Sequence, residues 1–244
     1  MNRSAGAGRV GVIVVAAGSG SRLGAGVPKA LVPIAGEAIL AHALRGVLTC
    51  TSVDEVVVVA PPGHRPEAEA VCRDVGSRYL ATSSGRGSPR TAVPVAVVSG
   101  GAERGDSVAA GLATLAAEVD VVLVHDAARC LTPVEVFDRV VAAVRAGAAA
   151  VVPGIPVVDT IKQVTAAGLV VATPARSTLR AIQTPQGFSR EVLERAHALG
   201  GNATDDAALV ERLGERVLVV AGDPRALKVT TPHDLEAAAR LLAT

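Results

Sequence analysis

The segment Val10–Ala30, VGVIVVAAGSGSRLGAGVPKA, runs from a β-branched apolar stretch straight into a glycine-rich loop. Val10–Ala17 is apolar on successive residues and does not alternate with polar ones. That is the pattern of a strand buried on both faces, as in a parallel sheet. Gly18–Ala30 then reads as a loop leaving the carboxyl end of that strand. Glu37–Cys50 follows, with Ile39, Leu40, Ala43, Leu44, Val47 and Leu48 on one helical face. Strand, glycine loop and helix are the opening unit of an α/β sheet, whose ligands sit beyond the carboxyl ends of the strands.

Outward from this unit the alternation continues. Val53–Ala60, Val93–Val98, Val121–His125, Ala148–Pro153 and Val217–Val220 read as further strands. Helices are expected over Pro66–Asp74, about Asp106–Glu118, from Thr132 onward, from Ser189 to about Leu199, from Thr204-Asp205-Asp206, and from Thr231-Pro232. Thr132-Pro133-Val134-Glu135 has the form of a capping box with proline at the first helical position. Between Val157 and Ile182 the pattern changes. Two short β-prone segments flank Ala166-Ala167-Gly168 and predict a hairpin in place of another strand–helix unit. Residues 81–92, ATSSGRGSPRTA, read as a polar loop to which no role is assigned.

Composition narrows the function classes. Half of the 244 residues are hydrophobic, enough for one core, yet only Tyr79, Phe137 and Phe188 are aromatic. A net charge of +1 and so few rings exclude an extended nucleic-acid surface. The first nine residues carry no signal-type apolar segment, and the first apolar run is too short to span a bilayer, so a cytoplasmic protein with a disordered segment 1–9 is expected. Cys50, Cys72 and Cys130 match no metal or disulfide spacing and read as free thiols. Of 24 basic residues only Lys29, Lys162 and Lys228 are lysine. Either the bias against lysine is drift and the three mean nothing, or those positions need a compact point charge that arginine cannot supply.

The loop after the first strand carries the first chemistry. Gly18 and Gly20 allow backbone N–H groups to approach an anion, and Arg22 and Lys29 add positive charge. It is not a Walker A loop, because Lys29 follows Pro28 and precedes Ala30. Nor is it a dinucleotide fingerprint: the third glycine falls one residue late, at Gly24, and the second strand ends in Val59-Ala60-Pro61 without a ribose-binding acid. The plain alternative is a solvated turn with two incidental charges.

Asp126, in His125-Asp126-Ala127-Ala128-Arg129, follows a buried strand where such sheets place ligands. A carboxylate there suits Mg²⁺, which takes oxygen ligands and substrate phosphates. Otherwise it caps a turn and pairs with Arg129. His125 reads as packed or hydrogen-bonded, not catalytic. Gly101, Arg104 and Ser107 sit in GGAERGDSV before a helix, which suits either anion or base recognition or ordinary capping. Thr160 and Lys162 in DTIK, Arg176, Thr184 in QTPQ, and Lys228 in LKVT are each weak alone.

Taken in order, AAGSGSRLG with PKAL, GGAERGDSV, HDAAR, DTIK, QTPQGF, TDDA and LKVT resemble the 2-C-methyl-D-erythritol 4-phosphate cytidylyltransferase family over residues of about 10–240. The resemblance implies a single Rossmann-like nucleotidyltransferase domain over 10–244. It implies a mostly parallel sheet flanked by helices, and a protruding β-hairpin arm at about 155–178 that builds a homodimer. It implies transfer of CMP from CTP to methylerythritol phosphate, with Mg²⁺ as cofactor. Arg22, Lys29 and Lys228 would be catalytic. Ala16, Ala17, Gly18, Gly20, Gly101, Arg104 and Ser107 would surround the nucleotide. Asp126, Arg129, Thr160, Arg176 and Thr184 would meet the acceptor, with Thr160 and Arg176 reaching from the other subunit and Asp126 also holding the metal.

Two departures stand out: Cys130 replaces a proline common in the family, and Arg225 occupies a position that is aspartate in some members, with Asp223 two residues further back. Ribitol-5-phosphate cytidylyltransferase shares most of these motifs and stays open as an alternative. A non-catalytic nucleotide-binding module is disfavoured, because Arg22, Lys29, Asp126 and Lys228 are all present.

Overall fold

The computed structural model describes residues 8–18, 20, 23–83, 92–200 and 203–243. Its centre is one sheet. Strands β1 (Arg9–Val15), β4 (Glu55–Ala60), β5 (Val95–Ser99) and β6 (Val119–Asp126) run parallel, with β1 between β6 and β4, and β5 outside β4. A two-stranded ribbon, β2 (Pro33–Ile34) with β3 (Glu37–Ala38), lies between β1 and the first helix. Because the four strands are parallel, their carboxyl ends share one edge of the sheet.

Each strand is covered on both sides. Along β1, Val10, Val12 and Val14 face one core and Ile13 faces the other, the period of two that a pleated strand imposes. The first core takes in α1 (Ile39–Thr49), α2 (Arg65–Ser83), α4 (Val134–Arg145) and α7 (Pro232–Leu242). The second lies under α3 (Arg104–Thr114), α5 (Arg190–Ala198) and α6 (Asp206–Arg212). Valine, leucine and isoleucine dominate both, as a chain almost without aromatics requires; Phe137 and Phe188 are its largest fully buried side chains.

The other half of the sheet departs from the sequence reading. β7 (Ala150–Pro156) does not lie beside β6. Two short strands, β10 (Arg180–Ile182) and β11 (Gln186–Ser189), run antiparallel along one side of β7, and β11 alone bridges β7 to β6. The same β7 residues pair in parallel with β12 (Val217–Ala221), which therefore forms the outer edge. The sequence reading assigned neither β10 nor β11. Gln186-Gly187-Phe188-Ser189 has no β-branched residue, and burial of Phe188 and Gln186 is what makes it a strand.

Helix α2 is longer than Pro66–Asp74. Ala68, Cys72, Val75 and Tyr79, spaced four, three and four apart, carry its buried stripe past Asp74. The ion pairs Arg65–Glu69 at 2.8 Å and Asp74–Arg78 at 3.1 Å support its exposed face at i,i+4 spacing. It ends at Ser83, so it covers the start of the loop read at 81–92; residues 84–91 lie outside the described residues. The capping box expected at Thr132 does not form. Pro133 is the N-cap, and the Thr132 hydroxyl donates instead to the Arg129 carbonyl at 2.8 Å, closing the turn after Asp126. At α7 the expected cap is present: Thr231 accepts from Asp234 N at 3.2 Å, with Pro232 at the first position.

The stretch between β7 and β10 is exposed throughout most of its length. It carries the hairpin β8 (Gln163–Val164) and β9 (Val170–Ala172), which turns at Gly168 with φ of +80°. Val158, Val164, Leu169, Val170 and Val171 are all exposed there. Among the described residues no helix is long and apolar enough to cross a membrane.

Candidate active site

A cavity of about 470 Å³ opens at the carboxyl edge of the parallel strands. β1 delivers Ala16, Ala17 and Gly18; the segment after β5 delivers Gly101; β6 delivers Asp126. The ladder extends into these turns, with Ala16 N donating to Val59 O at 2.9 Å, Gly100 N to Ala60 O at 2.9 Å and Ala127 N to Val15 O at 3.0 Å. The walls are therefore backbone fixed by the sheet, and the side chains on them are held by short, hydrogen-bonded turns.

Among the described residues, three cations reach this cavity. Lys29 comes from the 3₁₀ turn Lys29–Leu31, and Gly20 packs directly on it: with φ of +66°, a Cβ at Gly20 would overlap the Lys29 Cβ. Arg104 and Ser107 come from the first turn of α3. That helix is capped by Glu103, paired reciprocally with Asp106, two residues earlier than the sequence reading had it. Capping by Glu103 leaves the Ser107 hydroxyl to accept from Gly101 N at 3.2 Å, which ties the glycine turn to the helix. Lys228, from the loop before α7, is the third, and Val229 N donating to Ala128 O at 2.8 Å pins that loop beside the β6 terminus. Arg22 lies outside the described residues.

Two of these cations, Lys228 and Arg104, meet at one acid. Lys228 Nζ lies 2.6 Å from Asp126 Oδ2, and an Arg104 nitrogen lies 3.8 Å from Oδ1. Burial favours the neutral acid, but Lys228 and Arg104 outweigh it and hold the Asp126 pKa below the usual carboxylate range. Burial likewise opposes the charge on Arg104, and the carboxylates of Asp206 and Asp126 more than offset it. The cavity therefore pairs an ionised carboxylate with cations that an incoming polyanion can recruit.

Behind Asp126 stand residues that do not line this cavity. The Thr184 hydroxyl accepts from Asp126 N at 3.0 Å and lies 3.0 Å from His125 Nδ1. His125 is buried against the Phe137 ring, with centroids 5.0 Å apart. The Arg129 guanidinium is turned inward, donating to Ala226 O at 2.7 Å and Ile182 O at 3.1 Å, with its Nε buried without a partner. Arg129 and Thr184, read from the motifs as acceptor contacts, thus stand away from the cavity wall. Arg129 ties the Lys228 loop to β10, and Thr184 fixes the backbone of Asp126. Thr160 and Arg176 are also absent from this wall: they lie in the exposed stretch, where Arg176 donates to Val158 O at 2.9 Å. Asp223 pairs with Arg225 at 3.2 Å and caps its own turn.

Two predictions follow from this support. Thr184→Val keeps the shape and strands the buried Asp126 N–H, so it is expected to cost about 1–3 kcal/mol in urea unfolding; an unchanged midpoint would show that the bond carries nothing. His125 is held neutral by burial, its pKa pushed down from 6.5 to about 4. The unfolded chain binds this proton at higher pH than the native one does. Stability is then full above pH 6.5 and falls as pH drops towards 4, by about 3 kcal/mol from this residue. Unfolding midpoints across that range should flatten in His125→Gln; a parallel decline in both proteins would contradict the assignment.

Among the described residues no cluster of three His, Cys, Asp or Glu side chains could cage a metal ion. Mg²⁺ carried on substrate phosphates needs no cage, taking one or two carboxylates, waters and phosphate oxygens. Asp126, ionised and on the cavity wall, fits that smaller requirement.

The chain is similar to known proteins over nearly its whole length. A profile of the family 2-C-methyl-D-erythritol 4-phosphate cytidylyltransferase matches residues 10–244. A protein of that name from Nocardia farcinica is 49% identical over 99% of this chain and 97% of its own length. One from Saccharopolyspora erythraea is 51% identical over 95% and 98%. The chain also matches the bifunctional enzyme IspD/IspF of Clavibacter michiganensis at 52% identity, covering 96% of this chain and 55% of that protein. Among solved structures, the 2-C-methyl-D-erythritol 4-phosphate cytidylyltransferase of Thermus thermophilus is 31% identical and superposes with a TM-score of 0.73 over 97% of this chain and all of the other.

Proposed function

The chain belongs to the 2-C-methyl-D-erythritol 4-phosphate cytidylyltransferase family, and from that membership we propose how its cavity carries out the reaction. The enzyme transfers CMP from CTP to 2-C-methyl-D-erythritol 4-phosphate, giving 4-diphosphocytidyl-2-C-methyl-D-erythritol and pyrophosphate in the non-mevalonate isoprenoid pathway.

A phosphate oxygen of the acceptor attacks the α-phosphorus of CTP, and the bond from that phosphorus to the bridging β-oxygen breaks. The attacking oxygen is already ionised near neutral pH, so no general base is needed. The barrier is repulsion between anions and charge building towards pyrophosphate, which positioning and fixed cations lower. The glycine turns after β1 and β5 admit the nucleotide against backbone N–H groups, with Ala16, Ala17, Gly18, Gly101 and Ser107 around it. Lys29, with Arg22 from the same loop, meets the triphosphate charge. Lys228 moves from Asp126 to the incoming phosphates. Asp126 so released would hold Mg²⁺, which supplies further neutralisation of the phosphates when bound. The convergence of Lys29, Arg104 and Lys228 on one cavity around Asp126 is the observation that carries this reading.

The hairpin stretch is proposed to complete the site of a second copy, with Thr160 and Arg176 binding the acceptor phosphate across a homodimer. Its support is the run of exposed apolar side chains and the distance of both residues from their own cavity wall. The three buried thiols, none of them in a disulfide, suit a reducing cytoplasm. Subunit mixing tests the arrangement. Lys29→Ala and Arg176→Ala proteins, each inactive alone, should regain activity when unfolded and refolded together, because one site of the mixed dimer then has both residues. No recovery in verified mixed dimers would overturn the shared site.

A further inference from the structure

Arg104 is held from behind by a carboxylate that no motif-based role had reached. Asp206, at the start of α6, is fully buried, and its Oδ2 accepts from Arg104 Nη1 at 2.7 Å. Its Oδ1 lies 3.0 Å from His197 Nε2 of α5. The turn that carries it is itself fixed. Asp205 caps Ala208 N at 3.0 Å and accepts from Gln186 Nε2 at 2.7 Å, while Gln186 Oε1 accepts from Ala207 N at 3.2 Å. The anchor is thus bolted to β11, the strand that joins the two halves of the sheet.

Arg104 needs such an anchor because packing does not hold it. It lines the active cavity on one side and a second cavity of about 300 Å³ on the other, so neighbouring side chains do not enclose it. Two carboxylates compete for it, Asp206 at 2.7 Å and Asp126 at 3.8 Å. The nearer one decides where the guanidinium rests and keeps it from closing on Asp126.

We propose that Asp206 is a positioning residue for the nucleotide: it holds Arg104 on the cavity wall and off Asp126, with His197 and Gln186 fixing the carboxylate and its turn. This rests on the reading that Arg104 faces the nucleotide. Loss of one negative charge would by itself draw CTP in. Loss of a fixed arginine opposes that, and it prevails because the Asp206 charge is already matched by Arg104 and sealed from the solvent.

The test is CTP binding by calorimetry, without acceptor, together with separate kcat and KM values for CTP. Asp206→Asn and Arg104→Met should each weaken CTP on the order of 10- to 100-fold, and the double variant should bind no more weakly than Arg104→Met alone. CTP binding in folded Asp206→Asn as tight as in the parent, or losses that add in the double variant, would overturn the proposal. Should Asp206→Asn fail to fold, Asp206→Glu keeps the charge and shifts the anchor by one methylene, for which the adjoining cavity has room. It should weaken CTP at an unchanged melting temperature, and unaltered binding would overturn the proposal equally. If the parent binds CTP and Arg104→Met binds it as well, only this inference fails; a parent that does not bind CTP fails the cavity reading itself.

Discussion

Lys29→Ala is expected to lower turnover by at least about 100-fold while leaving the thermal midpoint unchanged, by analogy with removing one preorganised donor from an oxyanion site. The residue sits on a short turn whose backbone is closed without its side chain: Leu31 N donates to Pro28 O at 2.9 Å and Val32 N to Lys29 O at 3.1 Å. Truncation therefore removes a charge and leaves the turn. Arginine should not restore activity, because a planar fork places its charge differently from a compact ammonium. Turnover within about threefold of the parent in a folded variant would remove Lys29 from the transition state; 1.36 kcal/mol per decade leaves too little for a charge contact.

Asp126→Asn is expected to cost about as much, for a different reason. The carboxylate balances Lys228 at 2.6 Å and Arg104 at 3.8 Å, and its backbone is held by Thr184. Asparagine keeps the shape and the backbone bond but leaves Lys228 without its counter-charge beside the phosphates, while Arg104 stays paired with Asp206. CTP alone should bind at least as tightly as before, while turnover falls about 100-fold and the Mg²⁺ concentration for half-maximal rate rises. Binding measured beside rate separates this from misfolding. A variant with weakened CTP binding and an unchanged Mg²⁺ dependence would show that Asp126 serves only to orient Lys228.

Much of the fold was readable because buried parallel strands announce themselves. The valine-rich runs of β1, β4 and β6 are apolar on both faces, and glycine, proline or Asp126 ends each where the site begins. α7 was readable from Thr231 and Pro232, adjacent residues that start a helix, and the structure adds Asp234 to the cap. What escaped was decided by distant partners. β11 is a strand because Phe188 fills the core beneath α5 and because β6 and β7 both offer edges to it; neither fact is present in four local residues.

The site divides in the same way. Asp126 and the glycine turns stand at strand ends, so their place followed from the alternation of elements; Lys29 and Lys228 lie on later turns and stand out only through their motifs. Arg129 was read as an acceptor contact, yet the carbonyls of Ala226 and Ile182, far along the chain, turn it inward. Asp206 is visible in the sequence as part of a helix start and of the TDDA motif, with no role attached to it. Its pairing with Arg104 spans a hundred residues of chain, and no local pattern encodes it.

The central claim is that this cavity joins a methylerythritol phosphate oxygen to the α-phosphorus of CTP. Pyrophosphate release in the presence of CTP and Mg²⁺, with methylerythritol phosphate or ribitol phosphate as acceptor, tests it most directly. Release with methylerythritol phosphate and none above background with ribitol phosphate is the predicted result. Release with ribitol phosphate alone, or with neither acceptor from folded protein, would contradict it.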